Sequence, residues 1–362
     1  MQGPGTIGST GTIDTLDTIG IIGLGIMGGM MAETLRQQGY DVTGCDPAPA
    51  ARKRLAQCGG RPLVSAAAVA ASSDIIIVSL ASSAALAAVT QELLSALPSV
   101  GTAARAGTAG KPGSHQSGPD GKPSGKPGGK SGGKSGPAPR IVIETSTLPI
   151  ADKEAAAAAL KRAGIIMLDC PISGTAARMK ERAWTIFLSG ERAACKRVVP
   201  VLKAFTDNLP YTGAFGNGSK LKFAANHLVA IYNVAYAESV TLARKMGLDP
   251  RAMLKVFGSS AVLGTGVMRL RMPFMVERKY APPTMKVEVW QKDMQVIGDM
   301  ARSVNCPTPL FSACVPIYNA AMAQGLALQD TASTAEVLGA MAGIPAAKNS
   351  SGASRARSNR RR

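Results

Sequence analysis

The stretch Thr18–Leu35, TIGIIGLGIMGGMMAETL, constrains this chain more than any other. Ile19 to Ile22 has the length and β-branching of a fully buried strand. It runs into Gly23-x-Gly25-x-x-Gly28 and then a helical pattern, Met30 to Gln38, closed by Gly39. Three spaced glycines carry weight only between a strand and a helix, which is their context here. Gly23 permits a tight turn, Gly25 lets a pyrophosphate approach the backbone, and Gly28 lets helix and strand pack closely. The open N–H groups at the helix start, around Ile26 and Met27, suit phosphate oxygens. The alternative is a glycine-rich turn that binds nothing.

Later strands extend the pattern. "YDVTGCD" reads as a second strand and "SDIIIVSLA" as a third, almost wholly apolar, as a sheet strand covered on both faces should be. Strand and helix in alternation imply a parallel, doubly wound sheet. Asp46 ends the second strand, where a carboxylate can accept hydrogen bonds from both ribose hydroxyls of a dinucleotide. It would repel a 2′-phosphate, so the pattern favours NAD over NADP. Arg52, Lys53 and Arg54 pull the other way, because one of them could neutralise such a phosphate. Asp46 can also be read as a plain turn residue before Pro47.

Residues 101–140 break the alternation. They are almost all Gly, Pro, Ser, Ala and Lys, with a GK dipeptide recurring from Gly121 to Lys134. Such a segment cannot bury enough apolar surface to offset its ordering entropy and reads as a disordered insertion. "RIVIETST" then resumes the sheet, and two more strands are expected near "IIMLDCPIS" and "WTIFLSG". From Ser219 the period becomes helical, with no Pro and no internal Gly until Gly247. The expected architecture is α/β: an N-terminal Rossmann-type doubly wound domain, then an all-α domain joined to it by a long interdomain helix. The boundaries fall at 1–16 for a flexible arm, 17–215 for the dinucleotide domain with its insertion, 216–345 for the helical domain and 346–362 for a basic tail.

The formal charge of +18 suggests nucleic acid until its placement is considered. The insertion holds seven Lys or Arg against one Asp, and the tail holds six Lys or Arg and no acid. Two thirds of the excess therefore sits on segments not expected to fold. Neither segment has an aromatic residue to stack on bases. The six cysteines form no Cys-x-x-Cys pair and lie far from histidine, so they read as reduced thiols, and no metal is expected. The first thirty residues hold no Lys or Arg and lack the basic start of a secretory signal, and no apolar run reaches membrane-spanning length. A cytoplasmic location is expected.

Only two histidines occur, and His115 lies in the insertion. Proton transfer therefore falls to Lys, Asp, Glu, Tyr or Cys. In "GNGSKLKFAANH", Lys222 and Asn226 are four apart and share a helix face, whereas Lys220 points elsewhere. Burial beside a cationic nicotinamide would lower the Lys222 pKa toward a working range. Against this, Lys222 could be an ordinary solvated lysine at the start of a helix. In "DCPISG", Ser173 and Gly174 follow a strand, and a hydroxyl with exposed backbone N–H groups suits a carboxylate. A plain turn would look the same.

Together these segments resemble the β-hydroxyacid dehydrogenase family, which includes 3-hydroxyisobutyrate dehydrogenase and tartronate semialdehyde reductase. "GLGIMGGMMAETL", "ETSTLP", "DCPISG", "GNGSKLKFAAN" and "WQKDMQV" stand in the family's order over about 18 to 340, the insertion excepted. The resemblance implies an NAD(P)-dependent enzyme that passes a hydride between nicotinamide and a small β-hydroxy acid or its semialdehyde. It implies that Lys222 is the general acid–base and that Asn226 holds the substrate. Ser146, Ser173 and Gly174 would bind the substrate carboxylate. Leu80, Ala81, Thr147 and Lys292 would contact the cofactor, beside Gly23, Gly25, Ile26, Met27, Gly28 and Asp46. A homodimer or homotetramer built on the long helix is also implied.

The departures from the family pattern cluster at the substrate. Thr175 replaces the second glycine of the substrate loop, Ala225 replaces an asparagine, and Arg178, Lys180 and Arg182 stand where small residues are common. Arg178 or Arg182 could meet an extra acidic group on a larger substrate. The same residues leave two other readings open. One is a nucleic-acid-binding protein that uses the insertion and tail. The other is an imine reductase, an architecture that commonly carries another residue at the Lys222 position.

Overall fold

The computed structural model of the chain describes residues 18–96, 140–176, 179 and 181–346. The expected arm, all of the insertion but Arg140, and the tail beyond residue 346 lie outside the described residues, as do Arg178 and Lys180.

Six parallel strands form one sheet: β1 (Ile19–Ile22), β2 (Val42–Cys45), β3 (Arg61–Pro62), β4 (Ile75–Val78), β5 (Ile141–Glu144) and β6 (Ile166–Asp169), in the order β3-β2-β1-β4-β5-β6. Helices α1 (Ile26–Gln37), α2 (Pro49–Gln57), α3 (Ala66–Ser72), α4 (Ser83–Ser95) and α5 (Ile150–Arg162) lie between them. Strands β1, β2, β4 and β5 are buried at every residue, and successive side chains enter opposite faces. Ile19, Ile21, Ile75 and Ile77 pack with Met31 and Leu35 of α1. Ile22, Ile76 and Val78 pack with Val69 of α3, Leu86 of α4 and Leu160 of α5. The strand order reverses between β1 and β4, so the crevice past their carboxyl ends is where this topology receives a ligand.

The short edge strand β3 has no counterpart in the sequence reading, because two exposed residues carry no alternation to detect. The expected strand at "WTIFLSG" shrinks to β8 (Thr185–Ile186). It pairs antiparallel with β7 (Ile172–Ser173), outside the main sheet. Thr185 and the nearby Leu188 make isolated bridges to Asn208 and Tyr211 instead of a continuous ladder. Helix α6 (Arg192–Leu202) closes this half with Val198, Val199 and Leu202 in the core.

Helix α7 (Asn217–Lys245) starts two residues before the expected Ser219 and spans 29 residues, about 43 Å. It packs with α8 (Pro250–Ser259), α9 (Gly266–Glu277), α10 (Val287–Ser303), α11 (Pro309–Ala323) and α12 (Thr334–Met341) into the helical C-terminal domain. Phe223, Ala230 and Val234 of α7 meet Trp290 and Met294 of α10 and Phe311 of α11. Ile150, the first residue of α5, belongs to the same cluster and joins the two halves beside the cleft. All six cysteines are free. No helix among the described residues is long and apolar enough to cross a membrane.

Candidate active site

The β1–α1 turn has the geometry its glycines require. Gly23 has φ +88°, and a Cβ on Gly28 would lie 1.9 Å from the Gly23 carbonyl oxygen. Nothing lies within 4 Å of a Cβ built on Gly25. No side chain caps α1 and no acid stands in its first turn, so its leading N–H groups face open space beside Ile26, which is 71% exposed. A diphosphate fits this cradle, because the donors are bare and the backbone is approachable. Met27 is half-buried against the sheet core. Asp46, at the end of β2, accepts from the Leu24 N–H at 2.7 Å and the Ala48 N–H at 2.8 Å. Each carboxylate oxygen keeps a lone pair for a ribose hydroxyl. Arg52 donates to the Asp46 and Pro47 carbonyls, and Arg54 donates to the Leu24 carbonyl, so both guanidiniums border the same edge.

Past the end of β4, the Leu80 N–H donates to Ser146 Oγ at 2.8 Å, and Ala81 is exposed. Thr147 follows, and its carbonyl accepts from Lys292 Nζ at 2.7 Å. Lys292 Nζ lies 3.3 Å from Asp293 Oδ1, and Asn226 Nδ2 donates to Asp293 Oδ2 at 2.8 Å. A continuous polar path thus runs from the β4 end through β5 and α10 to α7. Lys222 stands one turn before Asn226, 8% exposed. Burial pushes its pKa down to about 8; Asp293 opposes that shift and Lys292 adds to it. Lys222 lies in the second turn of α7, not the first, because the helix begins at Asn217. Lys220 is exposed on another face, as its spacing indicates.

Ser173 ends β7, half-buried, and Gly174 follows it with φ +142°. A Cβ on Gly174 would lie 2.4 Å from the Trp184 ring. Thr175 is buried, its carbonyl accepts from Trp184 Nε1 at 2.8 Å, and its hydroxyl has no partner. Arg182 is turned onto Asp207, at 2.9 Å, and onto the Lys203 carbonyl. That engagement argues against its use on a substrate anion. His227 stacks on Phe311, away from the polar path.

One group of residues escaped the sequence reading. Lys153 of α5 is fully buried between Glu144 at 2.5 Å and Asp169 at 2.9 Å. In "ADKEAAAAALKR" it looks like one charge of a solvated face. The available signal was its register: Ile150, Lys153, Ala156 and Leu160 form the buried stripe of α5.

Comparison with known proteins agrees with this arrangement. Residues 18–116 and 134–213 match the family model of the NAD-binding domain of 6-phosphogluconate dehydrogenase. Residues 216–338 match that of the NAD-binding domain of NADP-dependent 3-hydroxyisobutyrate dehydrogenase. The chain belongs to the β-hydroxyacid dehydrogenase family. It is 28% identical to an L-threonate dehydrogenase of Cupriavidus necator over 87% of this chain and 93% of that protein. It is 26% identical to a 3-sulfolactaldehyde reductase of Escherichia coli over 57% of this chain and 69% of that one. A crystal structure of 3-hydroxyisobutyrate dehydrogenase from Salmonella typhimurium superposes with a TM-score of 0.70 at 25% identity, covering 89% of this chain and 99% of the other. An imine reductase from Pseudomonas superposes with a TM-score of 0.52 at 21% identity, a likeness of fold alone. As a family member, the chain is a nicotinamide-dependent oxidoreductase of hydroxy acids, acting at CH–OH. The basic segments on which a nucleic-acid role would rest lie outside the described residues. No cluster of His, Cys, Asp or Glu suited to a metal occurs among the described residues.

Proposed function

We propose that this β-hydroxyacid dehydrogenase works through Lys222 as its general acid–base, with NAD as the preferred cofactor. The observation that carries the reading is a lysine buried in the cleft, where desolvation lowers its proton affinity, one helical turn from an asparagine anchored on Asp293. In oxidation, the neutral Lys222 amine takes the hydroxyl proton of the substrate. In reduction, its ammonium returns that proton to the carbonyl oxygen. The nicotinamide, when bound, supplies the acceptor or donor of the hydride on the substrate carbon. Asn226 holds the reacting oxygen beside Lys222, while Ser146, Ser173 and Gly174 receive the carboxylate. Closure of these groups between the two domains keeps water from the reacting atoms.

Gly23, Gly25, Ile26, Met27 and Gly28 would bear the diphosphate, and Asp46 the ribose. Leu80, Ala81, Thr147 and Lys292 would line the nicotinamide end. The free lone pairs of Asp46 support NAD over NADP. The names of the relatives support a short hydroxy acid such as L-threonate, or an aldehyde acid such as 3-sulfolactaldehyde. We place the dinucleotide domain at 17–215 and the helical domain at 216–345. We also infer a homodimer or homotetramer built on α7, whose outer face carries exposed Leu221 and Leu228 beside an apolar groove of about 690 Å³.

The test is a cofactor-reduction screen of NAD and NADP against L-threonate, 3-hydroxyisobutyrate and related acids, run beside Lys222→Ala. Turnover with at least one acid, faster on NAD and lost in the variant, is the expected result. Turnover that survives in Lys222→Ala would remove the lysine from its role.

A further inference from the structure

We propose that Lys153 is a positioning residue for the reaction: its buried ammonium clips the turn after β5 to the first turn of α7 and so fixes where Lys222 stands. The inference rests on the reading of Lys222 as the acid–base group.

Four oxygens surround the Lys153 ammonium, three of them accepting its hydrogen bonds and the fourth, on Glu144, paired with it by charge. They are Glu144 Oε2 at 2.5 Å, Ser146 O at 2.6 Å, Asp169 Oδ1 at 2.9 Å and Ser219 Oγ at 3.0 Å. They come from β5, the turn after it, β6 and α7. Lys153, Glu144 and Asp169 are all fully buried. Each of the four contacts bears on the cleft. Glu144 Oε1 also accepts from the Ser146 N–H at 2.8 Å, so Ser146 is held through both its N–H and its carbonyl. Ser219 Oγ donates to Asp169 Oδ1 at 2.8 Å, and the Ser219 N–H donates to Asp169 Oδ2 at 2.8 Å. Ser219 lies three residues before Lys222, on the same side of the helix.

The helix is also pressed close at this point. A Cβ on Gly218 would come within 2.8 Å of the Asp169 carbonyl oxygen and 2.7 Å of that of Phe187. The Gly218 N–H donates to Ser189 Oγ at 3.0 Å. A buried ion cluster is a poor device for stability alone, since apolar side chains of the same volume commonly do as well or better. Its advantage here is direction. One cation with three fixed acceptors and a paired carboxylate sets the distance between the Ser146 turn and the base of α7, which a greasy contact would leave free to slide. Burial favours the neutral amine of Lys153, but Glu144 and Asp169 outweigh it and raise its pKa. Lys153 therefore stays an ammonium and does not compete with Lys222 for the proton. The charged groups that act on Lys222 itself are Asp293 and Lys292 of α10.

If the clip is cut, the first turn of α7 loosens, water reaches Lys222, and its proton affinity rises toward that of a solvated lysine. The experiment follows the titration of the Lys222 side chain by NMR on isotope-labelled full-length protein, its resonance assigned by its loss in Lys222→Ala. Wild type should titrate near 8. Ser219→Ala removes one arm of the clip and leaves the buried charges paired, so it folds. It should raise Lys222 proton affinity by about ten-fold, one pKa unit. Lys153→Met should raise it further, and Lys153→Arg, which keeps a cation between the carboxylates, should hold it near wild type. A Lys222 midpoint unmoved in folded Ser219→Ala would overturn the proposal and leave the acid–base reading intact. A wild-type midpoint at the ordinary lysine value would overturn both.

Discussion

Helices α1 and α7 both begin just after a glycine, Gly25 and Gly216. At α1 the N-cap Gly25 offers no side-chain acceptor and the first turn holds no acid, the nearby Asp46 carboxylate being spent on the Leu24 N–H instead. At α7 the corresponding donors are taken: Gly218 by Ser189 and Ser219 by Asp169. A helix N-terminus carries roughly half a positive charge. The first end offers that charge to whatever anion arrives, and the second has it neutralised by a carboxylate of the protein's own sheet. A bare end is a binding site, whereas a sealed end is a fixed support. The sealed end is also what allows a lysine to be buried in the second turn of α7 without facing an unopposed positive pole.

The largest expected effect follows at the sealed end. Replacing Lys222 with Met should lower turnover by on the order of a hundred-fold or more while cofactor affinity survives. It should also stabilise the fold. A lysine whose pKa falls from 10.5 to about 8 on folding binds its proton less tightly when folded. Below about pH 8 the folded state therefore bears a penalty on the order of 3 kcal/mol, which fades as pH rises toward 10.5. Lys222→Met should accordingly raise Tm at pH 7 and bring a smaller gain at pH 10. A lower Tm at both values would mean that the amine supports the fold. In the wild type, oxidation should speed up as pH climbs through about 8, and reduction should slow over the same range.

The bare end was legible in the sequence because everything that makes it lies close together. Gly23, Gly25, Gly28 and the β-branched run before them fit into ten residues, and Asp46 is one strand away. The sealed end was legible only in part. Lys222 and Asn226 share a face by simple periodicity. The groups that seat them, Glu144, Lys153, Asp169, Ser189 and Ser219, are spread over four elements and a loop. Each taken alone resembles a surface charge or a turn residue. Periodicity shows which face of α5 is buried, but it does not tell which carboxylates will meet Lys153 there. The pair β7–β8 was half legible for a similar reason, since its partners across the ladder are set by loops rather than by alternation.

A smaller effect should separate the two ends from the other side. Gly25→Glu puts a carboxylate into open space at the α1 N-terminus, where a Cβ meets nothing within 4 Å. The variant should fold with Tm within a degree or two of wild type. Its side chain would occupy and repel the anion site, so Kd for NAD should rise about ten-fold or more, measured by nicotinamide fluorescence or calorimetry. The Lys222 titration should stay where it was. If Gly25→Glu moved that titration without weakening the dinucleotide, the division of labour between the helix ends would be wrong.

The smallest expected effect concerns the segment between α4 and β5. Strands β4 and β5 are parallel neighbours in full register, Ile75 to Val78 against Ile141 to Glu144, and α4 already provides the crossover between them. Arg140 Nε donates to the Ser73 carbonyl and belongs with the sheet. Replacing residues 101–139 with a short Gly-Ser linker should therefore leave Leu80 and Ser146 where they are. Loop-closure entropy changes slowly with length, so the shortened chain should gain no more than about 2 kcal/mol. Turnover, NAD affinity and the pH dependence should each stay within about two-fold of wild type. A loss of NAD affinity alone would show that the basic segment adds charge to the bare end of α1. A shift in the pH dependence alone would show that it braces the sealed end of α7. Either result would make the contrast between the two ends depend on residues beyond the sheet and helices that now account for it.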